Sequence, residues 1–273
     1  MSLHSFTHLA AQRRIEGGRV HLPVSEDWLQ GRTCYGGLVA TLAALAMRDV
    51  AGATWPAGVG LRSLHTCFVG PVQPGEVQVD VQVLRQGRHV CHVQAQVRQG
   101  EAVAASLMGM YADDRASVLA PRRPQRPPAV REAEDLPAPP ARPAGAPAFL
   151  QHFDMRWAEG APPFTGSSGW TSSIHMRLQP EEAESLLPEL QSLLLGDLPA
   201  TPVIAQLRQP APNSSVTWAL ELRPVADAPA GGWWRSDNES VMVEHGYVNH
   251  ASRLWAPDGS LAAFGSQVVA VFA

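Results

Sequence analysis

The chain has 273 residues, 45% hydrophobic and only 17% charged, which is enough apolar material for two modest domains or one fused pair. Its net charge of −4 leaves no basic surplus to hold it on nucleic acid. No run approaches the ~18 apolar residues of a membrane span, and the N-terminal MSLHSFTHLAAQRRIEGG lacks an apolar core of signal-peptide length, so a cytoplasmic location is expected.

In chain order, the first informative stretch is GRTCYGGLVATLAALAMRDV, residues 31–50. It predicts a helix over 37–48, apolar on most faces and therefore inside a domain. Gly36 and Gly37 stand at its start, where bare backbone N–H groups are open to close approach. Plain packing and an anion or oxyanion site both fit that pattern. Next, 63–72 alternates apolar and polar residues and predicts a strand. Three more strand-like runs come after it, broken at Gly87 and Gly100, and VQVDVQV is strict period-two alternation. Cys34, Cys67 and Cys91, odd in number and at spacings unlike those of metal sites, read as reduced, buried thiols.

Residues 121–147 hold nine of the 24 prolines and read as a linker. This predicts an N-terminal domain over 1–114, a proline-rich linker over 115–147 and a C-terminal domain over 148–273. The second half repeats the first. A helical run spans 180–197, a strand spans 215–225, and the chain ends in a strand–turn–strand unit with PDG at its turn. Self-similarity at a period of roughly 150 residues predicts a duplicated domain. A helix that is apolar nearly all round must be wrapped by its antiparallel sheet, so the expected class is α+β, an antiparallel sheet around one buried helix occurring twice; the resemblance that follows is what makes the layout a double hotdog.

Specific residues carry a resemblance. CYGGLVATLAALA is similar to the FGGQVVGQAL type of segment that opens the first central helix of acyl-CoA thioesterase II proteins, and LHTCFVGPVQPGEVQVDVQVLRQGRHV is similar to the next stretch of those proteins. LLLGDLPATPV resembles the segment of an aspartate followed by prolines in thioesterase-like double-hotdog proteins. SVTWALEL and FGSQVVAVF resemble the two later strands that carry polar site residues. The resemblance implies that an aspartate, a hydroxyl residue and a glutamine hold the attacking water. Carried over, these are Asp197, Ser215 and Gln267, with Ser215 standing where the family usually has threonine; a one-residue shift would exchange Ser215 for Ser214. Gly36 and Gly37 are candidate donors to the thioester oxygen.

The implied activity is hydrolysis of a fatty acyl-CoA by direct water attack. No G-x-S-x-G elbow is present to supply a serine nucleophile. No cofactor and no metal are expected, coenzyme A being part of the substrate, and a homo-oligomer, a dimer or dimer of dimers, is implied. The alternatives are a non-catalytic acyl-thioester-binding protein and a hotdog dehydratase or hydratase; neither helical run carries the histidine that the latter needs. His65, His89, His92, His245 and His250 lie scattered on strand-like runs, and Trp218, Trp233, Trp234 and Trp255 are candidates for core or acyl-slot lining.

Overall fold

A computed structural model describes residues 3–56, 58–129, 131–137, 145–225 and 231–273. The first half runs α1 (Phe6–Ala11), β1 (Arg14–Glu16), β2 (Arg19–Val24), the short pair β3 (Leu29–Gln30) and β4 (Thr33–Cys34), α2 (Gly36–Ala51), then β5 (Gly60–Phe68), β6 (Gly75–Gln86), β7 (Val90–Gln99) and β8 (Ala102–Ala112). The second half runs β9 (Phe153–Glu159), β10 (Thr171–Leu178), α3 (Pro180–Ser185), α4 (Pro188–Gly196), β11 (Asn213–Leu222), β12 (Trp234–Glu244), β13 (Tyr247–Trp255) and β14 (Leu261–Val271).

Among the described residues, twelve strands form one antiparallel sheet in the order β1-β2-β6-β7-β8-β5-β11-β14-β13-β12-β10-β9. The order reads alike outward from its centre: β5, β8, β7, β6, β2 on one side and β11, β14, β13, β12, β10 on the other. The halves join where β5 pairs with β11, His65 opposite Ala219. A bulge after Val83 in β6 has its counterpart after Ser240 in β12. This is the double hotdog expected from the sequence.

Both central helices lie on one face of the sheet. In α2, Leu38, Ala40, Leu42, Ala43, Ala46 and Met47 are all buried, so the helix has no solvent stripe. Leu193, Leu194 and Leu195 of α4 are equally enclosed. The helices run antiparallel: Arg48 near the end of α2 pairs with Glu189 at the start of α4, and Asp197 at the end of α4 meets the start of α2.

Three expectations need correction. The helical run over 180–197 is two helices, because Pro188 opens α4 and holds Leu187 in an extended conformation (φ −57°, ψ 138°). Cys34 and Cys91 are buried, but Cys67 is exposed, since it falls on the strand phase opposite to buried Thr66. The proline-rich segment is only partly unpacked. Ala133 and Leu136 are buried, and Arg156 donates to both of their carbonyls at 2.6 and 3.0 Å. The central part of that segment, 138–144, lies outside the described residues.

Candidate active site

Asp197 is the C-cap of α4 (φ −97°, ψ −1°), ahead of Leu198 and Pro199. Its carboxylate projects away from its own helix onto the first turn of α2. Gln267 Nε2 donates to Asp197 Oδ1 at 2.5 Å, and the backbone N–H of Gly37 also donates to this carboxylate. The two glycines now have a reason. A Cβ on residue 36 would lie 2.7 Å from Asp197 Oδ2 and 3.1 Å from the Phe68 ring, and a Cβ on residue 37 would lie 2.5 Å from the Tyr35 ring. Tyr35 is itself fixed: its hydroxyl donates to the Leu194 carbonyl at 2.7 Å, and its ring stacks on Phe149. Glycine is required at 36 because a carboxylate takes the place of a side chain.

Crowding by protein pushes the Asp197 carboxyl up to about 7, against the lowering effect of the Gln267 and Gly37 hydrogen bonds. The start of α2 favours the anion and the end of α4 opposes it. Among the described residues no cation contributes to the balance. Asp197, Gln267, Gly36 and Phe68 are each partly buried.

The structure thus brings together Asp197, Gln267, Gly36 and Gly37. The Gly37 N–H is committed to Asp197, which leaves Gly36 as the one of the two glycines open to a substrate oxygen. Ser215 is not brought onto the pair. It sits opposite Val269, two ladder positions beyond the Trp218–Gln267 pair and next to a bulge. The Ser214 hydroxyl donates to the Ser215 carbonyl at 3.3 Å. Among the described residues neither serine hydroxyl bonds to Asp197 or Gln267.

Strand pairing reveals side chains that the sequence pattern alone leaves unassigned. Gln267 lies opposite Trp218 on one side and His250 on the other; Thr66 lies opposite Trp218, and Ser240 opposite His250. Directly paired residues point to the same face, so these five form one row on the helix side of the sheet. The phase of VNHASRL carried this signal for His250, since Val248 and Leu254, in step with it, are core residues. A hollow of about 600 Å³ on the sheet is lined by His65, Cys67, Met108, Thr217 and Ser266, and by Thr66, Trp218, Gln267 and His250 of the row as well; Asp197 is not part of it.

Two family models match the chain: an acyl-CoA thioesterase N-terminal domain over residues 24–112 and an acyl-CoA thioesterase C-terminal domain over residues 130–271. The chain belongs to the acyl-CoA thioesterase family. Its fold is similar to a conserved protein of unknown function with a hot dog fold from Alicyclobacillus acidocaldarius (TM-score 0.82, 20% identity, 100% of this chain and 99% of that one). It is also similar to the acyl-CoA thioesterase II TesB2 from Mycobacterium marinum (TM-score 0.69, 16% identity, 94% of each chain). At these identities the likeness shows the fold alone. No curated protein matches the chain. The glycine-led helix of this thioesterase-family chain comes from the N-terminal domain and the aspartate and glutamine from the C-terminal one, so the candidate site needs both.

Proposed function

We propose that the protein hydrolyses an acyl-CoA thioester by direct attack of water. The observation that carries this reading is Asp197, a carboxylate held by Gln267 at the open start of α2, with no cationic partner among the described residues and its pKa pushed up to about 7 by burial. A base poised near the working pH combines a useful ionised fraction with enough basicity to take a proton from water. Asp197 removes that proton as the water oxygen bonds to the thioester carbon. The carbonyl oxygen takes up the negative charge at the Gly36 end of α2, where the helix dipole favours it. Collapse of the tetrahedral adduct breaks the C–S bond, and the proton held by Asp197 passes to the departing thiolate, giving a carboxylic acid and coenzyme A. Gln267 orients Asp197 without adding charge. Ser215 enters this scheme only through the family resemblance, as a hydroxyl near the water.

The same reading includes a fatty acyl substrate, a place in lipid metabolism, a cytoplasmic location and assembly into a dimer or dimer of dimers. Exposed Met108, Val241, Tyr247 and Phe264 on the sheet support the assembly, which light scattering of the purified protein tests. No described helix is long and apolar enough to cross a membrane.

The test is thiol release from acyl-CoAs of graded chain length, acetyl to palmitoyl, by the wild type and Asp197→Asn. Release by the wild type and its loss in the variant support the reading. Binding without release would make this a thioester-binding member of the fold, and a change in enoyl absorbance would indicate a dehydratase.

A further inference from the structure

Tyr35 precedes α2 in an extended conformation (φ −55°, ψ 129°), and its N–H donates to the Trp28 carbonyl at 2.9 Å. Its ring then turns back over the helix start. A Cβ on residue 37 would lie 2.5 Å from the tip of that ring and from its hydroxyl, so glycine at 37 makes room for the tyrosine. The ring stacks on Phe149, centroids 4.2 Å apart, and meets Phe153 edge-on at 6.2 Å. The buried hydroxyl donates to the Leu194 carbonyl at 2.7 Å, a bond between residues 159 apart in the chain. It ties the last turn of α4, three residues before Asp197, to the residue that precedes Gly36.

The Leu194 carbonyl needs this donor. α4 ends at Gly196, so its last carbonyls have no partner within the helix. The Leu198 N–H, which would serve Leu194 in a longer helix, turns to Leu195 instead, at 3.3 Å. Leu194 is buried, and a buried carbonyl left bare is costly. The duplicated fold supplies a comparison. Leu187 stands before α4 as Tyr35 stands before α2, in nearly the same conformation (φ −57°, ψ 138°). Its side chain is apolar and 46% exposed. A helix start in this fold therefore does not require the hydroxyl; the start that receives Asp197 has it.

We propose that Tyr35 is a positioning residue for Asp197, its hydroxyl tying the end of α4 to the start of α2 so that the carboxylate stays on the Gly37 N–H. The inference rests on the reading of Asp197 as the base and adds the group that keeps it in place. Burial first, and the Asp197 charge second, push the phenol above its ordinary range, so it remains a donor at every working pH. Burial likewise keeps the neighbouring Cys34 thiol protonated. Two effects follow from the one bond. It holds the Asp197 carboxylate against the Gly37 N–H, whose hydrogen bond favours the anion. It also occupies a helix-end carbonyl whose partial negative charge opposes that anion. Both favour the carboxylate over the carboxylic acid.

The experiment follows thiol release against pH, with the acyl-CoA that the wild type releases fastest, in the wild type, Asp197→Asn, Tyr35→Phe and Tyr111→Phe, together with their melting temperatures. Tyr111 is the control. It is an equally buried tyrosine whose hydroxyl donates to the Ala44 carbonyl of α2 at 3.1 Å, ~12 Å along the helix from Gly36. Both phenylalanine variants keep the ring and lose one hydroxyl. Tyr35→Phe is expected to move the rising limb of the profile to higher pH by about half to one pH unit, with kcat at pH 7 down about two- to fivefold and KM little changed. Tyr111→Phe is expected to melt lower with its limb in place. Should Tyr35→Phe not fold, Tyr35→3-fluorotyrosine, a stronger donor of nearly the same shape, is expected to move the limb to lower pH. A limb that stays put in the Tyr35 variant, or that moves equally in Tyr111→Phe, makes the hydroxyl a packing group and overturns the proposal; inactivity of Asp197→Asn then leaves the base reading intact. Release from no acyl-CoA, or wild-type release by Asp197→Asn, removes the base reading and the positioning role with it.

Discussion

Two carboxylates sit at opposite ends of α4 and face opposite ends of α2. At one end Glu189 is paired with the Arg48 guanidinium and accepts the Leu61 N–H at 2.8 Å. At the other end Asp197 has only neutral donors, Gln267 and the Gly37 N–H. The two junctions are related by the duplication, but one sets a helix-start carboxylate against a helix-end arginine and the other a helix-end carboxylate against a helix-start glycine. With Arg48 present, the carboxylate is a fastener between the halves. Without a cation, it is held between charged and neutral forms near pH 7, which is what a general base needs. Duplication thus left two junctions, one closed by an ion pair and the other kept open beside a glycine.

The largest expected effect separates them directly. Asp197→Asn is expected to lower turnover by ~10²–10⁴-fold, the range for losing a general base, with melting temperature little changed below about pH 4, where the carboxyl is protonated in both states. Glu189→Gln is expected to do the reverse, melting several degrees lower while the folded protein turns over normally. Thiol release and thermal melts on both variants check the pair. If Glu189→Gln abolishes turnover in folded protein and Asp197→Asn does not, the assignment of the two ends is inverted.

Stability against pH comes next. The Asp197 pKa is raised in the fold, to about 7 from the unfolded 3.8. Below both values the group is protonated in either state and makes no difference. Between about 4 and 7 the unfolded chain has released the proton and the folded one keeps it, so stability falls as pH rises; above 7 the penalty is constant. Its ceiling is on the order of 4 kcal/mol, from 1.36 kcal/mol per pKa unit. Melts of Asp197→Asn and wild type are therefore expected to separate progressively in favour of the variant between pH 4 and 7. Parallel curves would show that Asp197 is ionised as easily in the fold as in water.

Gly36→Ala tests the close approach of the carboxylate to α2. The new methyl would overlap Asp197 Oδ2 and press on Phe68, and displacing a catalytic group by about an ångström can cost ~10²-fold. Activity is expected to fall far more than stability, as read from thiol release and circular dichroism. An active Gly36→Ala would show that the carboxylate need not lie on the helix start.

Much of the fold was legible because its signals are local. VQVDVQV fixes a strand by alternation, Gly87 and Gly100 mark turns, and an all-apolar run before each sheet can only be a wrapped helix. The α4 boundary was missed because hydrophobic periodicity runs on through Leu186 and Leu187 while Pro188 resets the backbone. Asp197 and Gln267 were found through the family resemblance, and their contact lies 70 residues apart in the chain. That Thr66, Trp218 and His250 share a row with Gln267 was not legible because it is a relation of register across four strands. A bulge between Ser215 and Thr217 brings the carried-over serine, three residues before Trp218, to two ladder positions from the pair, which spacing in the sequence does not show.

The smallest effect concerns Gln267, and it sharpens the comparison most. The surrounding LAAFGSQVVAVFA is otherwise nearly all apolar, so an amide here needs a partner. Its partner is Asp197, at 2.5 Å. That bond favours the ionised carboxylate and holds its pKa below where crowding alone would put it. Gln267→Leu removes a donor from a group that then has only the Gly37 N–H. The loss acts in two ways. Asp197 Oδ1 is left short of a hydrogen bond, so the variant is expected to be less stable by about 1–3 kcal/mol. More tellingly, the Asp197 pKa rises further. In the wild type, kcat/KM is expected to increase with pH through about 7, the protonated carboxyl being inactive and the carboxylate active. In Gln267→Leu that rising limb is expected to move to higher pH, with turnover at pH 7 down by about tenfold. A glutamine that only packed would lower the melting temperature without moving the limb. Activity against pH, measured on the folded fraction of the variant, decides: an unmoved limb with normal turnover would make Gln267 a structural clasp and leave Asp197 to orient water alone.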